Sequence, residues 1–252
     1  MSAPAYDPAR PAAALGLETM TPAMAEARNY YRWVAETIRP AVGRRVLDVG
    51  GGRGSLLSAF LDREGLAALD ISPDAVAYLR HSFRDQPKVE VIEGDVTAPE
   101  LVARLTAKGI DTILCTNVLE HVEADAAMLS AFAAILGPAR GRLVLQVPAH
   151  TWLYGSLDHA AGHFRRYTRS LVRERLAAAG FHVERARYMN ALAIPGWWVA
   201  GRVRRQGLQD ESSNAQVRFY DRYLIPVARA LEAVVPPPLG LSVLAIGRAG
   251  DA

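Results

Sequence analysis

A short apolar run that leads into a cluster of glycines is the feature that most constrains the fold. Residues 46–55 read Val-Leu-Asp-Val-Gly-Gly-Gly-Arg-Gly-Ser, which is typical of a buried strand followed by a tight turn and a helix. In an open α/β sheet, ligands bind outside the carboxyl ends of the strands, where glycines let the backbone approach them closely. The segment therefore predicts an α/β fold with a ligand site at this edge of the sheet.

Apolar runs alternate with amphipathic segments along the first part of the chain. The apolar runs predict five strands, at Arg45–Val49, Ala67–Asp70, Val89–Glu93, Asp111–Thr116 and Gly141–Val147. The segments between them predict four helices, at Leu56–Leu61, Pro73–Arg84, Pro99–Lys108 and Asp125–Leu136. This alternation favours a parallel sheet with helices on both faces.

The last third of the chain follows a different order. After an irregular stretch at Pro148–Tyr167, a helix is predicted from the N-cap Thr168 to Ala179. Phe181–Met189 and Leu241–Arg248 predict a sixth and a seventh strand. The segment 190–240 between them is too long for a hairpin loop, so we expect a helical insertion that covers the ligand site and contains a helix at Gln216–Val234.

Length and charge set the domain organisation and the class of partner. The 252 residues suit one large domain, which we expect at 24–252 after a flexible tail at 1–23, with an N-terminal helix at 24–40. Lys and Arg exceed Asp and Glu by 29 to 26 without forming a long basic stripe, so no nucleic-acid partner is expected. The single cysteine, Cys115, excludes an internal disulfide. With no predicted signal peptide or membrane span, it favours a cytoplasmic location.

Asp70 narrows the choice of cofactor. It ends the second predicted strand, where a carboxylate can accept hydrogen bonds from both hydroxyls of a ribose. A nicotinamide dinucleotide also requires the glycine pattern G-x-G-x-x-G. Ser55 or Leu57 stands where its last glycine belongs, so this class of cofactor is disfavoured.

The glycine loop matches a different pattern, D-x-G-x-G-x-G, at Asp48, Gly50, Gly52 and Gly54. Here the chain resembles the class I S-adenosylmethionine-dependent methyltransferases. Asp70, Gly94-Asp95-Val96 and Asn117-Val118-Leu119-Glu120-His121-Val122 match later segments of that family in the same order. The segment Asn117–Val122 is similar to the corresponding segment of the methyltransferases that act on small molecules. The resemblance covers about Glu26–Val147 and the terminal strands.

This resemblance implies a fold, a cofactor and a set of binding residues. The fold is a Rossmann-like, doubly wound seven-stranded sheet whose last strand is antiparallel. The cofactor is S-adenosylmethionine, which leaves as S-adenosylhomocysteine. Asp70 is expected to bind the ribose, Asp95 the adenine amino group and Asp48 the ammonium. The expected cofactor-binding residues are Asp48, Gly50, Gly52, Gly54, Asp70, Ile71, Asp95, Val96 and Asn117.

Two histidines are candidates for a general base, which methyl transfer needs when the acceptor is a hydroxyl. His121 lies at the mouth of the predicted sheet, where a structural cap explains it equally well. His163 lies in the segment Gly162–Tyr167, which is dense in functional side chains. The expected substrate-binding residues are Tyr30, Trp152, Tyr154, Arg165 and Arg166.

Arg165 and Arg166 raise the hypothesis of an anionic acceptor, because guanidinium groups bind carboxylate and phosphate in a bidentate manner. Asp158 is the alternative partner for them. Glu120-His121 resembles the E-x-x-E-H metal-binding segment of some RNA 2′-O-methyltransferases and ubiquinone-pathway O-methyltransferases. Asn117 replaces the first acid, so we predict no metal.

The predicted function is methyl transfer to a small-molecule oxygen, with nitrogen or carbon less favoured. The alternatives are an RNA methyltransferase, a nicotinamide-dependent reductase, and a cofactor-binding protein that performs no methyl transfer. No transmembrane segment is predicted. Trp197-Trp198 with Arg202, Arg204 and Arg205 suggests peripheral membrane contact as an alternative, which the shortness of that segment disfavours.

Overall fold

The computed structural model describes residues 22–205, 207 and 210–250. Most of the predicted tail, residues 1–21, lies outside them. The described residues form seven strands: β1 (Arg45–Val49), β2 (Gly65–Asp70), β3 (Val89–Glu93), β4 (Thr112–Thr116), β5 (Arg142–Pro148), β6 (Phe181–Met189) and β7 (Ser242–Ala249). The α-helices of the described residues are α1 (Pro22–Ala25), α2 (Arg28–Ile38), α3 (Pro73–Ser82), α4 (Pro99–Ala107), α5 (Asp125–Leu136), α6 (Ser156–Ala161), α7 (Arg169–Ala178), α8 (Ile194–Trp198), α9 (Glu211–Phe219) and α10 (Ile225–Val234).

The strands form one sheet in the order β3-β2-β1-β4-β5-β7-β6. Neighbouring strands from β3 to β5 pair in parallel, whereas β7 pairs antiparallel with both β5 and β6. This confirms the predicted Rossmann-like fold with an antiparallel last strand. The order reverses between β1 and β4, and ligands bind at such a switch point beyond the carboxyl ends of the strands.

Apolar side chains fill both sides of the sheet, as a doubly wound fold requires. Successive residues of one strand face opposite layers. Leu47 and Ile113 pack with α4, α5 and α7, whereas Val46 and Leu114 pack with α2, α3 and α10. All four are completely buried, so the strands are fixed between two apolar layers and their ends are held in place.

Local sequence signals explain where the helices begin. Ser72 caps α3 by accepting a hydrogen bond from the Ala75 amide, and Pro73 occupies the first turn. Thr168 caps α7 in the same way through the Leu171 amide. The helix predicted at Leu56–Leu61 is instead a 3₁₀ helix at Leu57–Phe60, since the chain must reach β2 within a few residues.

Two predictions for the last third were wrong in detail. The stretch expected to be irregular contains α6, which is too short to show a periodic pattern in the sequence. The helix predicted at Gln216–Val234 begins earlier, at Glu211. Its first turn contains Ser212, Ser213 and Asn214, residue types that favour caps over helix interiors, and this composition conceals the helix.

The helix of the insertion is continuous from Glu211 to Val234, because a π-helical turn at Tyr220–Leu224 joins α9 to α10. We call it the insertion helix. Its Asp221 carboxylate accepts hydrogen bonds from the Asn29 and Tyr30 amides, which are at the start of α2. The insertion thereby holds the N-terminal helix over the sheet. Within the described part of the chain, no helix is long and apolar enough to cross a membrane.

Candidate active site

The glycine loop after β1 has a backbone that only glycine adopts readily. Gly50, Gly52 and Gly54 all have φ between 52° and 69°, in the left-handed region. A Cβ atom on Gly50 would lie 2.4 Å from Cγ2 of Val118, and one on Gly54 would lie 2.5 Å from Cε2 of Phe83. Gly50 therefore allows the loop to pack against the segment that follows β4, and Gly54 allows it to pack against the end of α3.

The Asp70 carboxylate fixes this loop at the end of β2. Its two oxygens accept hydrogen bonds from the Gly52 amide at 3.0 Å and the Ser72 amide at 2.9 Å. Each oxygen keeps a lone pair for a further donor. Burial raises the pKa of Asp70, and burial with the nearby Asp70 charge raises the pKa of Asp48 to about 7. Two buried acids beside a glycine loop suit a ligand with hydroxyl donors and a cationic group.

The other expected cofactor residues follow the neighbouring strands. Asp95 is exposed after β3, and its Oδ1 accepts hydrogen bonds from the amide and the hydroxyl of Thr97. Val96 beside it is buried, and Ile71 is partly buried after β2. Asn117 follows β4 with a φ of 55°. These residues lie along one edge, because β3, β2, β1 and β4 are parallel neighbours.

Tyr30 reaches this edge from α2. Its side chain is buried, and its hydroxyl accepts a hydrogen bond from Nε2 of Gln146 on β5. Hydrogen bonds with Gln146, Asn117 and Ser242 lower the pKa of Tyr30. Burial raises this pKa by more, so the net shift is upward. Oε1 of Gln146 has no hydrogen-bond partner among the described residues. Gln146 is not among the site residues predicted from the sequence. The available signal was a polar residue inside an apolar strand.

The loop after β5 is organised around a buried carboxylate, Asp158. Its Oδ1 accepts a hydrogen bond from Nε of Arg166 at 2.7 Å and lies 2.8 Å from Nδ1 of His163. Its Oδ2 accepts one from the Gly155 amide. Neighbouring His163 and Arg166 outweigh the effect of burial and hold the pKa of Asp158 below its ordinary value.

Glu120, His121 and His163 come together where this loop meets the segment after β4. The Phe164 amide donates a hydrogen bond to the Glu120 carbonyl, which joins the two segments. Nε2 of His163 lies 4.0 Å from Oε1 of Glu120, and the His121 and His163 rings meet edge to face at 4.7 Å. Burial raises the pKa of Glu120 to about 7. One ligand atom from each residue lies within 4.8 Å of the others, so this triad also has the composition of a metal site.

The structure gives both arginines acidic partners. Arg166 is 2 % exposed, and besides Asp158 it donates to the Ala149 carbonyl. NH1 of Arg165 lies 3.0 Å from Oδ2 of Asp125. The hypothesis of an anionic acceptor assumed guanidinium groups that lack a protein partner, and this geometry removes that premise.

The aromatic residues expected at the acceptor site lie on the loop after β5. Trp152 is 48 % exposed, and the Tyr154 hydroxyl donates to the His163 carbonyl at 2.6 Å. His150 precedes them with a φ of 61°, which is uncommon for a residue with a side chain. Its ring is buried and stacks on Tyr188 at 4.7 Å.

An open cleft of about 1050 Å³ lies between α2 and the segment that follows the glycine loop. Its lining includes Arg28, Tyr31 and Arg32 from α2 and Ser55 and Ser58 from the opposite wall. The N-terminal helix therefore forms one wall of an opening beside the cofactor edge, by which we mean the carboxyl ends of β3, β2, β1 and β4 where the expected cofactor residues lie.

Comparison with known proteins identifies the family. A family model described as a methyltransferase domain matches residues 20–186, more than half of the chain. The chain belongs to this family. The matched domain is a class I methyltransferase domain whose cofactor is S-adenosylmethionine, which confirms the predicted family and cofactor. The match ends before the insertion at 190–240.

Individual relatives extend this picture. The ubiquinone biosynthesis O-methyltransferase of Xanthomonas axonopodis is 37 % identical over 116 residues, which cover 45 % of this chain and 46 % of that protein. The chain thus spans about half the length of the curated relatives it matches.

Solved structures agree in fold. The Haloferax volcanii complex of the Trm112 methyltransferase activator with a putative methyltransferase gives a TM-score of 0.59 at 20 % identity, covering 90 % of this chain and 92 % of that chain. Magnesium protoporphyrin IX methyltransferase from Synechocystis, with bound S-adenosylhomocysteine, gives 0.54 at 18 % identity, covering 88 % and 83 %.

The buried Asp158–Arg166 pair should be essential to stability. Replacing Asp158 by Asn leaves a buried guanidinium without its charged partner, and we expect a loss of about 3–5 kcal/mol in the free energy of unfolding. Asp62→Asn removes an exposed pair with Arg39 and should cost less than about 1 kcal/mol. Urea titration measures both. Equal effects would show that the buried pair is not structural.

The raised pKa values of Asp48 and Glu120 predict the pH dependence of stability. Their folded pKa of about 7 exceeds the ordinary range, so the folded state binds more protons than the unfolded state between about pH 4 and 7. Stability should fall as pH rises through 7. We expect a lower Tm at pH 8 than at pH 6, by about 2–4 °C per kcal/mol lost. Asp48→Asn and Glu120→Gln should reduce this difference in scanning fluorimetry, and an unchanged slope would contradict the assignment.

Proposed function

We propose that this methyltransferase methylates an oxygen atom of a small molecule and that His163 is its general base. The observation that carries the proposal is the His163–Asp158 contact beside Glu120, at the meeting point of the segments that follow β4 and β5. The similarity to an O-methyltransferase over 116 residues also supports oxygen as the methylated atom. No argument from Arg165 or Arg166 remains for an anionic acceptor.

The cofactor edge supplies the donor side of the reaction. When bound, S-adenosylmethionine provides an electrophilic methyl group on a sulfonium. We propose that Asp70 uses its remaining lone pairs for the ribose hydroxyls and that Asp48 faces the ammonium. Asp95, Asn117 and the backbone of Gly50, Gly52 and Gly54 complete this edge, with Ile71 and Val96 beside the adenine. The glycine loop leaves room for the ligand because it has no side chains at these three positions.

The histidine has the arrangement of an oriented base. A carboxylate only accepts hydrogen bonds, so the contact with Asp158 places the His163 proton on Nδ1. Nε2 then carries a lone pair and can accept the proton of an acceptor hydroxyl. Glu120 lies 4.0 Å from that nitrogen and, when ionised, stabilises the imidazolium that forms. His121 contacts the same ring and limits its rotation.

A general base matters more for oxygen acceptors than for amines. A hydroxyl must lose its proton as it attacks, whereas a neutral amine already has a free lone pair, so base catalysis benefits the hydroxyl most. Trp152 and Tyr154 lie on the same loop as His163 and offer aromatic surface, which suits an apolar or aromatic acceptor. A panel of phenols and matched anilines, assayed by release of S-adenosylhomocysteine, tests this preference. Equal turnover of both classes would contradict it.

Asp70 should be required for cofactor affinity. Asp70→Ala removes the charge-assisted hydrogen bonds proposed for the ribose, each worth about 1.5–3 kcal/mol. Calorimetry should therefore show S-adenosylmethionine binding weakened by about tenfold or more. Asp74→Asn removes an exposed acid at the start of α3 and should leave the affinity unchanged. Wild-type affinity in a folded Asp70→Ala protein would place the ribose acid elsewhere.

His163 should be required for turnover of a hydroxyl acceptor. Without a group that takes the hydroxyl proton, His163→Ala should lower kcat by roughly 10²–10⁴-fold in an assay of S-adenosylhomocysteine release. The matched control is His182→Ala, since His182 is an exposed histidine on β6, outside this site. If EDTA abolished activity and a divalent metal restored it, the triad would be a metal site rather than a base.

A further inference from the structure

Two carboxylates of the insertion helix point toward the protein, whereas Glu211 at its start is exposed. Asp221 accepts hydrogen bonds from the start of α2, and the Glu232 carboxylate accepts them from the Asn190 and Ala191 amides. Asn214 on the same side accepts one from the Ala23 amide. These polar groups anchor the helix inward, so they contribute little to its outer surface.

The outer face of the insertion helix is apolar to an unusual degree. Phe219, Tyr223, Val227 and Leu231 follow one another at intervals of four residues and are between 48 % and 58 % exposed. Val234, Val235 and Leu239 continue this surface, and Val234 is 81 % exposed. Four-residue spacing places side chains on one face of a helix. A continuous exposed apolar surface marks an interaction site.

The charges on this face are all positive. Every residue from 215 to 239 is described, and the exposed charged residues among them are Arg218, Arg222 and Arg229. The Arg222 guanidinium lies 5.4 Å from the centre of the Tyr223 ring. Arg229 pairs with Glu36 of α2. Arg218 and Arg222 flank Asp221 in the sequence, but the Asp221 carboxylate is bonded to the Asn29 and Tyr30 amides of α2.

We propose that this outer face, Phe219–Leu239, docks on a membrane surface that contains anionic lipid. An apolar stripe bordered by arginines and free of exposed carboxylates matches acyl chains beneath anionic headgroups. A second copy of this chain fits less well. A two-fold contact would face Arg218 and Arg222 with the same residues, and this face has no exposed acid to pair with them.

Vesicle sedimentation tests the proposal on the full-length chain. The probes are vesicles of phosphatidylcholine alone and vesicles that also contain phosphatidylglycerol. We expect binding to the anionic vesicles, with an affinity that falls as ionic strength rises. The apolar variant, Phe219→Ser with Tyr223→Ser and Leu231→Ser, should lose at least tenfold in affinity. Arg218→Gln with Arg222→Gln should lose the preference for anionic lipid.

Matched controls separate this surface from general charge and folding. Arg173→Gln removes one exposed cation on α7, and Tyr78→Ser removes an exposed aromatic residue on α3. Both should bind vesicles like the wild type. All variants should keep the wild-type affinity for S-adenosylmethionine, so that a failure of the proposed acceptor chemistry does not affect this test.

Three outcomes would overturn the proposal. They are wild-type protein that sediments with neither vesicle, variants of this face that bind as the wild type does, and a lipid-free dimer in size-exclusion chromatography that the apolar variant converts to a monomer. The last result would assign the face to self-association instead.

Discussion

The Asp70 carboxylate joins the two loops on which the cofactor edge depends. It holds the Gly52 amide of one loop and the Ser72 amide of the next, while the Gly50 amide bonds to the Leu69 carbonyl. This arrangement buries Asp48 beside it, so two acids share a region with little water. Burying carboxylates without a cation is unfavourable. The raised pKa values of Asp48 and Asp70 reflect this unfavourable burial.

Asp158 is the second buried carboxylate that organises the site, on the other side of the point where the strand order reverses. Unlike the Asp70 carboxylate, it has a positively charged partner. Its partners belong to the protein itself, and Arg166 is buried with it. The same carboxylate positions His163, so stability and the proposed chemistry depend on one group. The arginines beside His163 are thus accounted for by acids of the protein and do not require an anionic substrate.

The parts of the structure that local patterns determine could be predicted from the sequence. Strands such as β1, β3 and β6 match their apolar runs from first to last residue. Asp48, Asp70 and Asp95 were predicted as site residues because each lies near the carboxyl end of a strand. The contact between Glu120 and His163 could not be predicted, since it depends on a backbone hydrogen bond between segments far apart in sequence. The orientation of the insertion helix could not be predicted either, because its polar residues face inward only through their contacts with α2 and other distant segments.

The position of β7 has a consequence for how the chain folds. β7 lies between β5 and β6, yet residues 149–241 separate it from β5 along the sequence. Until β7 pairs, the edge of β5 presents unpaired amides and carbonyls, and β6 has no neighbour in the sheet. Such long-range pairing is slow, because the intervening chain must first lose its conformational freedom. Before β7 is in place, the half-built sheet therefore presents an open edge with which strands of other chains can pair.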